Sequence, residues 1–374
     1  MARILIVGGG FGGVVAAESL AKKLGDEHQI TLVSRSRDFI FYPALVRLAF
    51  GKCELDDISF DLREAMLDRR VSFVESEVAR VNAHQCNVIV SGGEFSGEIP
   101  YDFLVIALGR RLATERIAGF YEYSHHLLGP DDALKFHQAV RDFHQGRAVI
   151  GSCPGARLPV PVFETAFAFS HFLEERGERS HCAITIVSDE TPDEMFRATL
   201  SQELLDSLNS REIEFVSDFP IDHLTPHSIV ASDGHAIECD LRLLIPPFRG
   251  PAPVLYTGLT DAEGYVRVDT TMKVFGAERI YAVGDCTSFS GPKTGHMAVR
   301  QGEVAAENIL ANIRGLEATA TYDHELMLVI EADGADSMFV RKDLWTDEPA
   351  VIKQGRFWGW AKRGQEHYWK TRHA

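Results

Sequence analysis

Arg3-Ile4-Leu5-Ile6-Val7-Gly8-Gly9-Gly10-Phe11-Gly12-Gly13 decides how this chain folds. The residues up to Val7 read as a short buried parallel strand. Gly8, Gly10 and Gly13 then fit G-x-G-x-x-G, and a helical run continues from Val14 to Leu24. The pattern carries meaning only between a strand and a helix, which is where it lies. Gly8 permits the tight turn, Gly10 lets the backbone approach a pyrophosphate, and Gly13 lets helix and strand pack closely. The helix N-terminus offers free N–H groups and a partial positive charge to phosphates. Ile30-Thr31-Leu32-Val33 is the next strand, so the stretch opens a dinucleotide-binding unit. Such a second strand usually ends in an acid that bonds a ribose hydroxyl. Here it ends in Ser34-Arg35. Ser34 can still make one hydrogen bond, and Arg35 can lie against adenine or reach a phosphate. That departure argues against an ordinary NAD site and leaves FAD open.

Further along, Asp61 to Leu67 reads as a helix. Val71–Val74 and Asn87–Val90 read as strands, Gly92-Gly93 as a hairpin turn, and Tyr101 to Leu108 as a buried strand ending in Gly109. The first unit therefore closes near residue 110. A second strand-Gly-helix start appears at Arg147-Ala148-Val149-Ile150-Gly151, with a helix from Val162 to Glu175 and a strand Ala183–Val187. Helix Glu194 to Leu208 and strands near Glu214–Val216 and Ser228–Ala231 follow. Strand Leu241–Ile245 leads back toward the first unit. Arg279 to Asp285 is a strand with a glycine-acid end, and His296 to Arg314 is a helix. The expected architecture is α/β: two Rossmann-like domains, the second inserted in the first, plus a small C-terminal domain. The segments are 1–110, 111–245, 246–315 and 316–374.

The 374 residues suffice for several cores, and the net charge of −16 argues against a nucleic-acid partner. Cys53, Cys86, Cys153, Cys182, Cys239 and Cys286 show no C-x-x-C and no metal-ligand spacing, so no metal is expected and a reducing compartment is. No signal peptide and no apolar run of ~18 residues is read. The tail is different. From Lys353 onward it holds six Lys and Arg against Glu366, interleaved with Phe357, Trp358, Trp360, Tyr368 and Trp369. A basic, Trp-rich segment suits an interfacial membrane contact. The alternative is a terminal helix docked on its own protein by its aromatics.

The N-terminal motif, the inserted second unit and the return ending in Val283-Gly284-Asp285 together resemble the two-dinucleotide-binding-domain flavoproteins. Phe41-Tyr42-Pro43-Ala44, Tyr101 to Gly109, Pro247-Phe248-Arg249-Gly250 and Pro292 to Met297 look like sulfide:quinone oxidoreductases, with type II NADH dehydrogenases more distant. The resemblance implies bound FAD. It would be held by Gly8, Gly10, Phe11, Gly12, Gly13, Ser34, Arg35, Pro43, Val78, Ala107, Gly109, Gly284, Asp285, Lys293 and Thr294. Asp285 would bind the ribityl chain, and Lys293 with Thr294 would contact the pyrimidine end. It further implies Glu164 as a proton shuttle beside the flavin, Lys362 at a quinone channel and His296 as a candidate in the flavin-contacting segment. Implied partners are a quinone, a small donor (NAD(P)H or a sulfur species) and a membrane surface met by the tail; a homodimer is compatible. The implied location is cytoplasmic, peripheral to the inner face of the membrane.

Two departures bear on the donor. The loop from Gly151 to Glu164 is longer than the tight G-x-G-x-x-G of NADH dehydrogenases, although Asp189 or Glu190 can serve a ribose. By register, the cysteines that carry sulfur in sulfide oxidation fall at Leu128, Leu158 and Leu328. Leucine cannot replace a thiolate nucleophile. Cys153 and Cys286 are read as small buried residues. The expected function is an FAD-dependent oxidoreductase passing two electrons to a quinone without the usual dithiol. The alternatives are an NAD(P)H:quinone oxidoreductase or a non-catalytic flavin-binding sensor or subunit.

Overall fold

In the computed structural model, which describes residues 1–332 and 337–373, strand Arg3–Val7 is the centre of a five-stranded parallel sheet. The order is Ile280–Ala282, Phe103–Ile106, Arg3–Val7, Gln29–Ser34, Ser72–Glu75. Ile4 to Val7 are all buried, as a parallel strand covered on both faces requires. Helix Phe11–Leu24 lies along helix Gly295–Ile313, and glycine permits the approach: a Cβ on Gly302 would lie 2.6 Å from the Gly12 carbonyl oxygen. Residues near 5, 105 and 281 thus share one sheet, although the chain between the last two builds another.

That second sheet is also parallel, in the order Ile213–Val216, Cys182–Ser188, Gly146–Ser152, Leu241–Ile245. The architecture is two Rossmann-like units, the second set within the first. A three-stranded antiparallel sheet, Glu325–Ile330, Met338–Asp343 and Val351–Gln354, and helix Arg356–His373 complete the chain.

Several elements differ from expectation. The first helix begins at Phe11 rather than Val14, because Gly12 and Gly13 are helical where packing demands no side chain. The single helix expected over Glu194–Leu208 is two. A Thr191/Glu194 capping box starts Pro192–Phe196, which ends at Arg197 in the left-handed region (φ +55°). The Asp193 carboxylate then accepts from Leu200 N at 2.8 Å and Ser201 N at 2.7 Å, starting Ser201–Asn209. Strand Glu77–Asn82 was not expected; it pairs with Asn87–Ser91, whose Gly92-Gly93 turn has both φ positive.

Part of the tail follows the docked reading. Trp369 is 8% exposed and stacks on Phe39 at 5.5 Å. Phe357, Trp360 and Tyr368 are 66%, 69% and 57% exposed. The helix docks by one face and presents aromatic side chains on another. Among the described residues no helix is long and apolar enough to cross a membrane.

Candidate functional site

The Gly8–Gly13 turn has the geometry a pyrophosphate needs. Gly8 takes φ +112°, and a Cβ there would sit 2.1 Å from the Ala107 carbonyl oxygen. A Cβ on Gly13 would sit 1.9 Å from the Gly8 carbonyl oxygen. Around Gly10, by contrast, a Cβ would meet nothing within 4 Å. Gly10 caps the first helix without a side-chain hydrogen bond, so the first-turn N–H groups face open space. The Phe11 ring packs on Phe39 at 5.1 Å and Trp369 at 4.9 Å. Ser34 Oγ accepts from Ser36 N at 3.4 Å, while Arg35 and Pro43 are exposed. Val78 is buried in its strand, and Ala107 N donates to Val7 O at 2.8 Å. Gly109 takes φ +68°, and a Cβ there would also meet nothing within 4 Å, which leaves room beside the turn.

Strand Ile280–Ala282 lies one strand away from Arg3–Val7, so its following turn reaches the same end of the sheet. Ligands of such sheets bind beyond the carboxyl ends of the strands. Gly284 has φ +78°, and the Asp285 carboxylate pairs through Oδ2 with Arg110. Arg110 also lies 4.2 Å over the Phe248 ring, and its Nε is buried without a partner. Lys293 Nζ donates to Thr287 O at 2.6 Å and Phe289 O at 3.0 Å. Burial pulls the Lys293 pKa down to about 8, against the opposing pull of Asp285. Thr294 Oγ1 accepts from Met297 N at 3.3 Å and so starts helix Gly295–Ile313. His296 Nε2 is 3.7 Å from Glu325 Oε2, and burial lowers its pKa.

Glu164 and Lys362, nearly two hundred positions apart in sequence, meet as a buried ion pair. Glu164 Oε1 also accepts from Glu331 N at 2.6 Å, and Glu331 pairs with Arg363 at 2.8 Å. The second unit, the C-terminal sheet and the tail helix therefore join here. Burial pushes the Glu164 carboxyl above its ordinary value, and Lys362 offsets this only in part. Such an acid is easier to protonate than an exposed carboxyl.

The loop Gly151–Pro159 is tied to its surroundings. Cys153 N donates to Ile245 O at 2.9 Å, Phe248 N to Gly155 O at 3.1 Å, and Lys293 N to Arg157 O at 2.9 Å. Helix Val160–Glu175 starts after Pro159 and has Pro161 in its first turn, which removes one N–H; Val162 N is spent on Pro159 O at 3.0 Å. This helix end offers fewer open donors than the first. Asp189 and Glu190 end strand Cys182–Ser188, with both carboxyls raised by burial. All six cysteines are free. Cys153 and Cys286 are buried, and burial pushes the Cys286 thiol up to about 12 and the Cys153 thiol further. Leu128, Leu158 and Leu328 are partly buried against the core. Sequence reasoning missed Arg110, Gln301, His324 and Glu331, because none lies in a motif; their partners are set by tertiary contact.

Residues 2–302 match the pyridine nucleotide-disulphide oxidoreductase family, and the chain belongs to that family of oxidoreductases. Within it, the chain is similar to the sulfide-quinone reductase of Aquifex aeolicus (strain VF5), at 26% identity across 99% of this chain and 91% of that protein. It is also similar to the type II NADH:quinone oxidoreductase of Staphylococcus haemolyticus, at 23% identity across 85% of this chain and 84% of that one. The crystal structure of the sulfide:quinone oxidoreductase from Aquifex aeolicus superposes with a TM-score of 0.92 at 25% identity, over 100% of this chain and 92% of that chain.

Proposed function

We propose that this protein is an FAD-dependent quinone oxidoreductase that works at a membrane surface and takes electrons from a small donor without a cysteine pair. The observation that carries the reading is the convergence of the open Gly10 turn and the Gly284-Asp285 turn at one end of one sheet. Residues 1–110 and 246–315 hold the cofactor, 111–245 form the second nucleotide-like unit, and 316–374 face the quinone and the membrane.

When bound, FAD supplies the two-electron chemistry. The N-terminus of helix Phe11–Leu24 binds the pyrophosphate through its free N–H groups and dipole. Asp285 would hold the sugar-alcohol chain, with Arg110 keeping its Oδ2 in place. Lys293 and the start of helix Gly295–Ile313 place positive potential where negative charge gathers on reduction. Glu164, paired with Lys362 and made easier to protonate by burial, would take up and release a proton beside the cofactor. The exposed Phe357, Trp360 and Tyr368, with neighbouring Arg and Lys, suit the interfacial zone of a bilayer.

The dithiol route to sulfide oxidation does not suit these residues. It needs reactive thiolates, and Cys153, in the loop before Leu158, and Cys286, beside Asp285, are buried with raised pKa. A second reading takes NAD(P)H as the donor. Asp189 and Glu190, at the end of their strand, favour it; the tied loop and Pro161 oppose it. A third reading, a flavin-bearing sensor or subunit, expects bound FAD and slow reduction by every donor.

The test is anaerobic mixing of the FAD-loaded chain with sulfide, NADH or NADPH while flavin absorbance is followed, then addition of a quinone. Bleaching by one donor and recovery of colour on quinone addition support the proposal. A colourless chain that refuses FAD ends it, and bleaching that no quinone reverses removes the acceptor.

A further inference from the structure

A chain of buried polar side chains runs from the cofactor turn into the C-terminal unit, and none of the roles above uses it. The Gly284 amide donates to Gln301 Oε1 at 2.7 Å. That bond fixes which way the Gln301 amide points, leaving its NH2 group on the side of the Tyr322 oxygen, on which it acts electrostatically. The Tyr322 hydroxyl bonds His324 Nδ1 at 3.0 Å, and His324 Nε2 bonds the Ser290 carbonyl at 2.8 Å. The polarity follows from the last link. A carbonyl only accepts, so Nε2 carries the proton, Nδ1 accepts, and Tyr322 donates. Gln301, Tyr322 and His324 are all buried, and burial keeps the His324 pKa below its ordinary value, so the ring stays neutral as this polarity requires.

Each of its hydrogen bonds has one direction only, and its first member is the amide beside Asp285. Gly284 sits in the left-handed region; its carbonyl accepts from Thr287 N at 3.1 Å and Thr287 Oγ1 at 2.9 Å, while its amide, the side facing the chain, is held by Gln301. We propose that Gln301, Tyr322 and His324 are positioning residues that set Asp285 against the sugar-alcohol chain of the cofactor. This rests on the FAD reading above. It also links two parts of the site. His324 directly precedes strand Glu325–Ile330, and Glu331 at the far end donates to Glu164. One strand therefore carries the cofactor-turn chain at one end and the Glu164–Lys362 pair at the other, about 23 Å away at ~3.3 Å per residue.

The experiment uses the full FAD-loaded chain and the variants Y322F, Q301M and Y322F/Q301M. W345F is the packing control, because Trp345 lies 5.6 Å from the His324 ring without belonging to the chain of bonds. The FAD dissociation constant and the visible circular dichroism of bound flavin are measured. Each single variant should weaken FAD binding about tenfold and change the flavin dichroism, and the double variant should be no worse than either single, because one broken link already loosens the orientation of the Gly284 amide. W345F should leave both readouts at wild-type values. Additive losses, unchanged dichroism in Y322F, or a W345F that matches Y322F overturns the proposal while the FAD reading stands. A wild-type chain that takes up no FAD overturns both.

Discussion

Replacing Lys362 by methionine keeps most of its packing but leaves the Glu164 carboxyl buried without its cation. The carboxyl escapes the cost of a buried unpaired charge by holding a proton whenever the tail helix is docked. When the helix opens, Glu164 reaches water and titrates near its ordinary value of 4.5. At pH 7 the docked, protonated form is then disfavoured by at most about 3.4 kcal/mol, at 1.36 kcal/mol per pH unit. The sign is fixed. A docked-state pKa above the open-state value means that docking loses stability as pH rises above 4.5. The readout is amide exchange of helix Arg356–His373, expressed as protection relative to the free peptide rate. K362M should lower protection by up to ~300-fold at pH 7 and about tenfold less at pH 6. The double variant E164L/K362M should recover most of the loss, because no buried carboxyl remains. A loss of equal size at both pH values, or a double variant as exposed as the single, refutes the reasoning.

Other outcomes follow from the same geometry. G13A should abolish FAD retention, read as loss of visible absorbance, since its Cβ would lie 1.9 Å from the Gly8 carbonyl oxygen. Lys293 should make flavin reduction depend on pH, with the rate falling as pH rises through about 8 and the ammonium loses its charge; K293M should be slower and flat across the same range. The double change F357S/W360S should weaken sedimentation with anionic vesicles at least about tenfold, since burying each aromatic ring contributes ~1.5–3 kcal/mol. R110M should raise the FAD dissociation constant several-fold by releasing Asp285, with little change in the unfolding of the cofactor-free chain.

The order of elements was legible in the sequence. Gly8, Gly10 and Gly13 lie between an apolar strand and a helix, and at Gly8 and Gly13 the backbone admits no side chain, so local pattern and steric demand coincide. The second strand-Gly-helix start at Gly151 and the Gly-Asp end at Asp285 were readable for the same reason. The split of the helix at Arg197 was not, because a capping carboxylate seven residues upstream outweighs helical periodicity. The tail could be read only as two alternatives, because aromatic and basic residues satisfy a bilayer and a protein groove equally well; the fold buried Trp369 and left Trp360 outside. Glu164 and Lys362 were each legible as residues of interest but not as a pair, and Gln301, Tyr322 and His324 carried no signal at all. Sequence determines what each backbone segment can become, since φ, ψ and hydrophobic spacing are local. Which polar side chains end up facing one another in a dry interior was decided only when segments hundreds of residues apart packed together, because a hydrogen bond depends on distance in space and not along the chain.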